Sequence, residues 1–142
     1  AMMDVSDGLL LDASRLASAS GVAAHIDLSA LPLSDAFITA RGDDRAARLF
    51  AATAGDDYAL LVALAETVDP FTLPLPSGTR VTAIGRLTEG EGLSLADGDT
   101  PVPVPERLGH EHRGDQYPAV DRRPDRAGVG HGDRGPAPLA PT

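Results

Sequence analysis

Met3-Asp4-Val5-Ser6-Asp7-Gly8-Leu9 sets two carboxylates, a hydroxyl and a glycine between a strand-like lead-in and a helical apolar pattern, Leu9, Leu10, Ala13, Leu16 and Ala17. A strand, a polar turn and a helix start form a setting in which backbone N–H groups hold phosphate and carboxylates hold the accompanying metal. Gly55-Asp56-Asp57-Tyr58 is a second acidic turn, and it leads into the most apolar run of the chain.

Working outward, the spacing predicts a helix over 7–20, capped by Ser6 or Asp4 and stopped at Gly21. Residues 22–28 alternate as a strand, with Val22, Ala24, Ile26 and Leu28 on one face and Ala23, His25 and Asp27 on the other. Short helices are expected over 34–40 and 44–53, the second turning Ala47, Leu49 and Phe50 inward. The Arg41-Gly42-Asp43 tripeptide between them reads as a capping loop. Residues 58–64 read as a buried strand, 66–71 as the start of a short helix, 80–87 as a strand and 93–95 as a short strand. Ala96-Asp97-Gly98-Asp99 is a hairpin-type turn, and the alternating Pro101, Pro103 and Pro105 restrict their segment to a sheet edge. Strands alternating with helices imply an α/β domain, a mixed sheet with helices packed on one face.

The chain of 142 residues suffices for one modest domain with an aliphatic core, since it has three Phe, two Tyr and no Trp. Lacking cysteine, it has no disulfide or thiolate metal site and is compatible with a cytoplasmic location. No apolar run is long enough to span a membrane, and no signal peptide is seen. The net charge is −9 and all twelve basic residues are arginine. Residues 1–114 hold 17 acids against 8 Arg, which argues against nucleic-acid binding and suits divalent cations. Residues 114–142, rich in Pro, Gly and Arg, read as a disordered tail. The opening Ala-Met-Met-Asp, already in mid-pattern, reads as part of a longer protein.

Asp4 and Asp7 stand three apart across the turn and can converge on Mg2+, with Ser6 available to a phosphate oxygen and Gly8 leaving room for it. The alternative is an elaborate N-cap. Asp56 and Asp57 repeat the logic, with a plain Gly-Asp turn as alternative. His25 reads as structural, and Asp97 and Asp99 as turn residues. His110 and His112 flank Glu111 at a spacing that needs a third ligand to make a metal site. With no lysine there is no Walker-type phosphate grip, and no nucleophile elbow is present.

Met3 to Leu9 resembles the Met-Asp-Ile-Ser-Asp-Gly-Leu segment of thiamine-monophosphate kinases. Ser20-Gly21-Val22 to Ile26-Asp27-Leu28, Leu31-Pro32-Leu33-Ser34 and Val81 to Leu87 are similar to further segments of that family, in the same order. Ala54-Gly55-Asp56-Asp57-Tyr58-Ala59-Leu60-Leu61 resembles its Gly-Gly-Glu-Asp-Tyr-Glu-Leu-Leu motif. Leu108 to His112 falls where the family has a Gly-aromatic-x-His pattern.

This resemblance implies an AIR-synthase-like C-terminal domain over residues 1–113, the C-terminal half of such an enzyme, whose N-terminal half forms a homodimer. It implies Mg2+-dependent transfer of a phosphoryl group from ATP to thiamine monophosphate, giving thiamine diphosphate. Asp4 and Asp7 would bind Mg2+, Ser6 would contact ATP, and Asp56 and His110 would contact the substrate. Asp56 is one methylene shorter than the family's Glu, and His110 stands for an aromatic residue. Two other readings stay open: a non-catalytic fragment or binding module of the same fold, and another ATP-using member of the superfamily.

Overall fold

The computed structural model describes residues 1–55 and 58–110, all within the compact unit Ala1–His112. Strand β1 (Met2–Val5) leads through the acidic turn into helix α1 (Leu9–Ser20), which ends on the left-handed Gly21. Strand β2 (Val22–Asp27) follows, then a 3-10 turn (Leu28–Ala30) and helices α2 (Asp35–Arg41) and α3 (Arg45–Thr53). Ser34 and Asp44 cap these helices by accepting the backbone N–H of Phe37 and Ala47. Strand β3 (Ala59–Val62), a 3-10 turn (Pro70–Thr72) and strands β4 (Gly85–Glu89), β5 (Gly92–Asp97) and β6 (Thr100–Val102) complete the described chain.

The strands form two sheets. The larger is mixed, in the order β4-β2-β5-β6, with β2 and β5 parallel and the other pairs antiparallel. Ile26, Leu95 and Val102 on one face meet Leu10 and Ala13 of α1 and Ala52 of α3, with Leu28 and Leu31 completing the core. On the other face, His25 lies within hydrogen-bond distance of the Ser94 and Thr88 hydroxyls, 2.5 and 2.7 Å away. The α/β class and the mixed sheet expected from the sequence are present, and β6 is the proline-bearing edge.

Several local expectations are corrected. Helix α1 starts at Leu9, and its N-cap is Gly8, with no side-chain cap from Ser6 or Asp4. Ala47 is buried and Leu49 packs on the core as expected, with Ala52 beside them, but Phe50 faces out at 45% exposure with the Arg41 guanidinium 3.8 Å over its ring. The run 58–64 is a strand only over Ala59–Val62, paired on one side with β1. Leu61 packs on the core, whereas Leu60 and Val62 share the exposed face with Met2 and Asp4. Tyr58 is 99% exposed. The strand expected over 80–87 begins at Gly85, since the approach of Ile84 to Asp27 (N···O 2.8 Å) starts the pairing there. The helix expected over 66–71 reduces to the turn at Pro70–Thr72. Asp56, Asp57, Glu111, His112 and the tail 114–142 lie outside the described residues. No helix among the described residues is long and apolar enough to cross a membrane.

Asp27 ties the end of β2 to the β5–β6 turn. Its carboxylate accepts the Ser29 hydroxyl and N–H and the Gly98 N–H. The Ser29 hydroxyl first, then the Gly98 N–H, hold its pKa below the ordinary aspartate value. The stability Asp27 contributes is therefore complete above the ordinary pKa and lost as pH falls through the lower folded value. Asp27→Asn should flatten the acid limb of a plot of urea midpoint against pH.

Candidate functional site

The acidic turn is organised from inside the helix that follows it. Asp12, in the first turn of α1, is fully buried. Its Oδ2 accepts the backbone N–H of Ser6 at 3.0 Å and of Asp7 at 3.1 Å. Its Oδ1 accepts from Arg15 at 3.1 Å, and the same guanidinium nitrogen reaches Asp7 Oδ2 at 2.5 Å. These carboxylates hold the Arg15 pKa above its ordinary value, the Asp7 bond acting most strongly. Asp12 thus fixes the backbone of the two residues expected to carry chemistry, and Arg15 fixes the Asp7 carboxylate.

Two other segments close on this turn through glycine. Gly8 has φ of 119°, and a Cβ there would meet the Thr53 and Ala54 carbonyl oxygens at 3.0 and 3.1 Å and the Gly109 Cα at 3.1 Å. A Cβ on Gly55 would lie 2.6 Å from the Ser6 carbonyl oxygen. One on Gly109 would lie 2.9 Å from the Leu11 Cβ and closer still to the Asp7 carbonyl oxygen. The His110 N–H donates to that Asp7 oxygen at 2.6 Å. Backbone meets backbone at all three positions, tightly at Gly8 and with no room for a side chain at Gly55 and Gly109.

The result is a cleft of 390 Å3 lined by Ser6, Asp7, Thr53, Ala54, Gly55, Arg107 and His110. It gathers Ser6, Asp7 and His110 from the sequence-predicted set. Asp4 stands two residues before Ser6, on the exposed face of β1 opposite Leu60, and does not line the cleft. Asp56 lies outside the described residues, directly after the lining residue Gly55. Among the described residues, no group of three or more His, Asp or Glu is arranged to hold a metal by itself. Sequence reasoning missed Asp12, Arg15 and Arg107. A signal for Asp12 was present: an acid among Leu10, Leu11 and Ala13 on an apolar helix needs a buried partner.

Three relatives are similar to this chain in sequence or fold. Thiamine-monophosphate kinase of Caulobacter vibrioides is 38% identical over 121 residues, covering 79% of this chain and 33% of that protein. The enzyme of the same name from Mycobacterium tuberculosis is 40% identical over 111 residues, covering 70% and 28%. AaThiL complexed with AMPPCP and TMP is 36% identical, with a TM-score of 0.56, covering 78% of this chain and 33% of that one. The chain is similar in sequence and fold to part of the thiamine-monophosphate kinases. The chain spans about a third of the length of these relatives, consistent with the part of a longer enzyme expected from the sequence. No family model matches the chain.

Removing the Asp12 carboxylate leaves two part-buried N–H groups without their acceptor. Asp12→Ala should lower the unfolding free energy by about 3 kcal/mol, and Asp12→Asn by less. Chemical denaturation reads the loss, and amide exchange should show protection vanishing first at Ser6 and Asp7. Gly109→Ala should also destabilise, because the atoms it meets include fixed backbone.

Proposed function

We propose that this chain supplies one wall of a thiamine-monophosphate kinase site, transferring the terminal phosphoryl group of ATP to thiamine monophosphate with Mg2+. The observation that carries this reading is the gathering of Ser6, Asp7 and His110 on one cleft, at matching positions of family motifs. The homologous AaThiL is described with AMPPCP and TMP, which supports ATP and a thiamine phosphate as the two substrates.

In this reading Asp7, and Asp4 from β1, hold Mg2+. The available donors are all oxygen, which suits a hard cation. They form an incomplete set, so phosphate oxygens, water and further polypeptide complete it. Bound Mg2+ would neutralise charge on the phosphates. The Ser6 hydroxyl donates to an ATP phosphate oxygen, while Gly8 serves the backbone junction with Thr53, Ala54 and Gly109 rather than the phosphate. His110 stacks on the acceptor, and Asp56 hydrogen-bonds to it. Transfer is direct and in line, because phosphoryl transfer needs positioning and charge neutralisation rather than a covalent nucleophile.

Residues 1–113 are the C-terminal domain of the enzyme in this reading, and 114–142 a separate tail. The whole enzyme acts as a cytoplasmic homodimer formed through its N-terminal half. Residues 1–142 alone should give no thiamine diphosphate and bind Mg-ATP weakly. Adding a polypeptide equivalent to the relatives' N-terminal half should restore thiamine diphosphate formation, and Asp7→Asn should abolish it. Turnover by the chain alone, or accumulation of a phosphorylated enzyme intermediate, would contradict this reading.

A further inference from the structure

The cleft contains a cation that the proposed roles leave unused. Arg107 is the one arginine among the described residues that lines it. Other arginines are engaged elsewhere: Arg15 on Asp7 and Asp12, Arg41 on Phe50, Arg45 on Asp97, and Arg48 on the carbonyls of Leu28, Ser29, Leu31 and Asp43. Arg107 has no carboxylate partner among the described residues. Its Nε donates to the Gly109 carbonyl at 3.0 Å. Its Nη2 stands 3.4 Å from His110 Nδ1, so the guanidinium and the imidazole share one part of the wall.

The Nε bond orients the guanidinium plane without using Nη1, which has no partner among the described residues. Gly109 is itself locked against Asp7 and Leu11, so the anchor of Arg107 is part of the same junction that fixes the acidic turn. A planar, permanently charged fork held at one edge is suited to bind a phosphate through charge-assisted hydrogen bonds. In a chain of net charge −9, such a local cation is what lets a phosphorylated ligand approach.

We propose that Arg107 is a binding residue for a phosphate monoester, the phosphate of the acceptor, presented beside His110. This assignment rests on the proposed reading for the identity of the acceptor, and on the geometry alone for the anion. The competing source of the same chemistry is the phosphate chain of a nucleotide.

The test is a series of NMR titrations of the 142-residue chain at fixed ionic strength. The probes are inorganic phosphate, thiamine monophosphate, unphosphorylated thiamine and AMPPCP. Inorganic phosphate and thiamine monophosphate should shift resonances of Arg107 and His110. Arg107→Gln should weaken both about 10-fold or more, Arg107→Lys should weaken them less, and thiamine should be indifferent to either change. Arg107 is exposed, and an unchanged amide spectrum confirms that each variant folds.

The assignment is overturned if wild-type chain takes up no phosphate, or if Arg107→Gln binds it equally well. It is also overturned if only AMPPCP loses affinity. If phosphate binding depends on Arg107 but thiamine monophosphate gains nothing over phosphate, the subsite stands and the thiamine reading falls.

Discussion

Three glycines in backbone contact carry the rest of this structure. Gly8, Gly55 and Gly109 come from segments far apart in sequence; a Cβ on Gly55 or Gly109 would overlap main-chain atoms, and one on Gly8 would be tight at a positive φ. Main chain packed on main chain has no rotamers to relax, so the positions of neighbouring residues are set by the backbone itself. Ser6 and Asp7 precede the first glycine, and Arg107 and His110 flank the third. The cleft exists because these segments meet without side chains between them. Its lining is held by the main chain, which is what the proposed positioning of two phosphates would require.

The buried carboxylate of Asp12 solves the problem the junction creates. The turn leaves the Ser6 and Asp7 N–H groups part-buried, and β1 ends before it can pair them. A charged acceptor inside α1 satisfies both, and Arg15 offsets its charge. One guanidinium nitrogen on two carboxylates also gives Asp7 a defined orientation. This is costly polar architecture for so small a core, and it is concentrated on the residues that the proposed chemistry needs.

The elements with strong local signals were legible in the sequence. The apolar stripe and Gly21 mark α1, alternation marks β2, and the prolines mark the edge after residue 100. The illegible parts depend on partners distant in sequence. Phe50 fits an inward pattern, but Arg41 one helix earlier gives its ring a better place outside. Leu60 and Val62 read as core because a strand apolar on both faces belongs inside, yet β3 has one pairing partner and one covered face. Of the site, Ser6, Asp7 and His110 were legible through motif likeness, whereas Arg107 was not. An arginine in a proline-bounded loop carries no local signal until Gly109 and Asp7 are seen to touch.

Charge placement links these observations. A chain with 21 acids against 12 arginines should repel phosphates, so a phosphate-handling role needs its few cations in the right places. Arg45 and Arg48 are committed to holding the scaffold together. Arg15 stands behind Asp7, where it offsets a carboxylate, and Arg107 stands on the open wall. In the proposed reading, Mg2+ and Arg15 then act on the same carboxylate, one from the cleft and one from α1. The surrounding cations limit how much negative charge the turn presents before Mg2+ arrives. In that reading the affinity of the cleft for metal and its affinity for phosphate would be coupled through Asp7, which the backbone junction at Gly109 joins to the segment carrying Arg107.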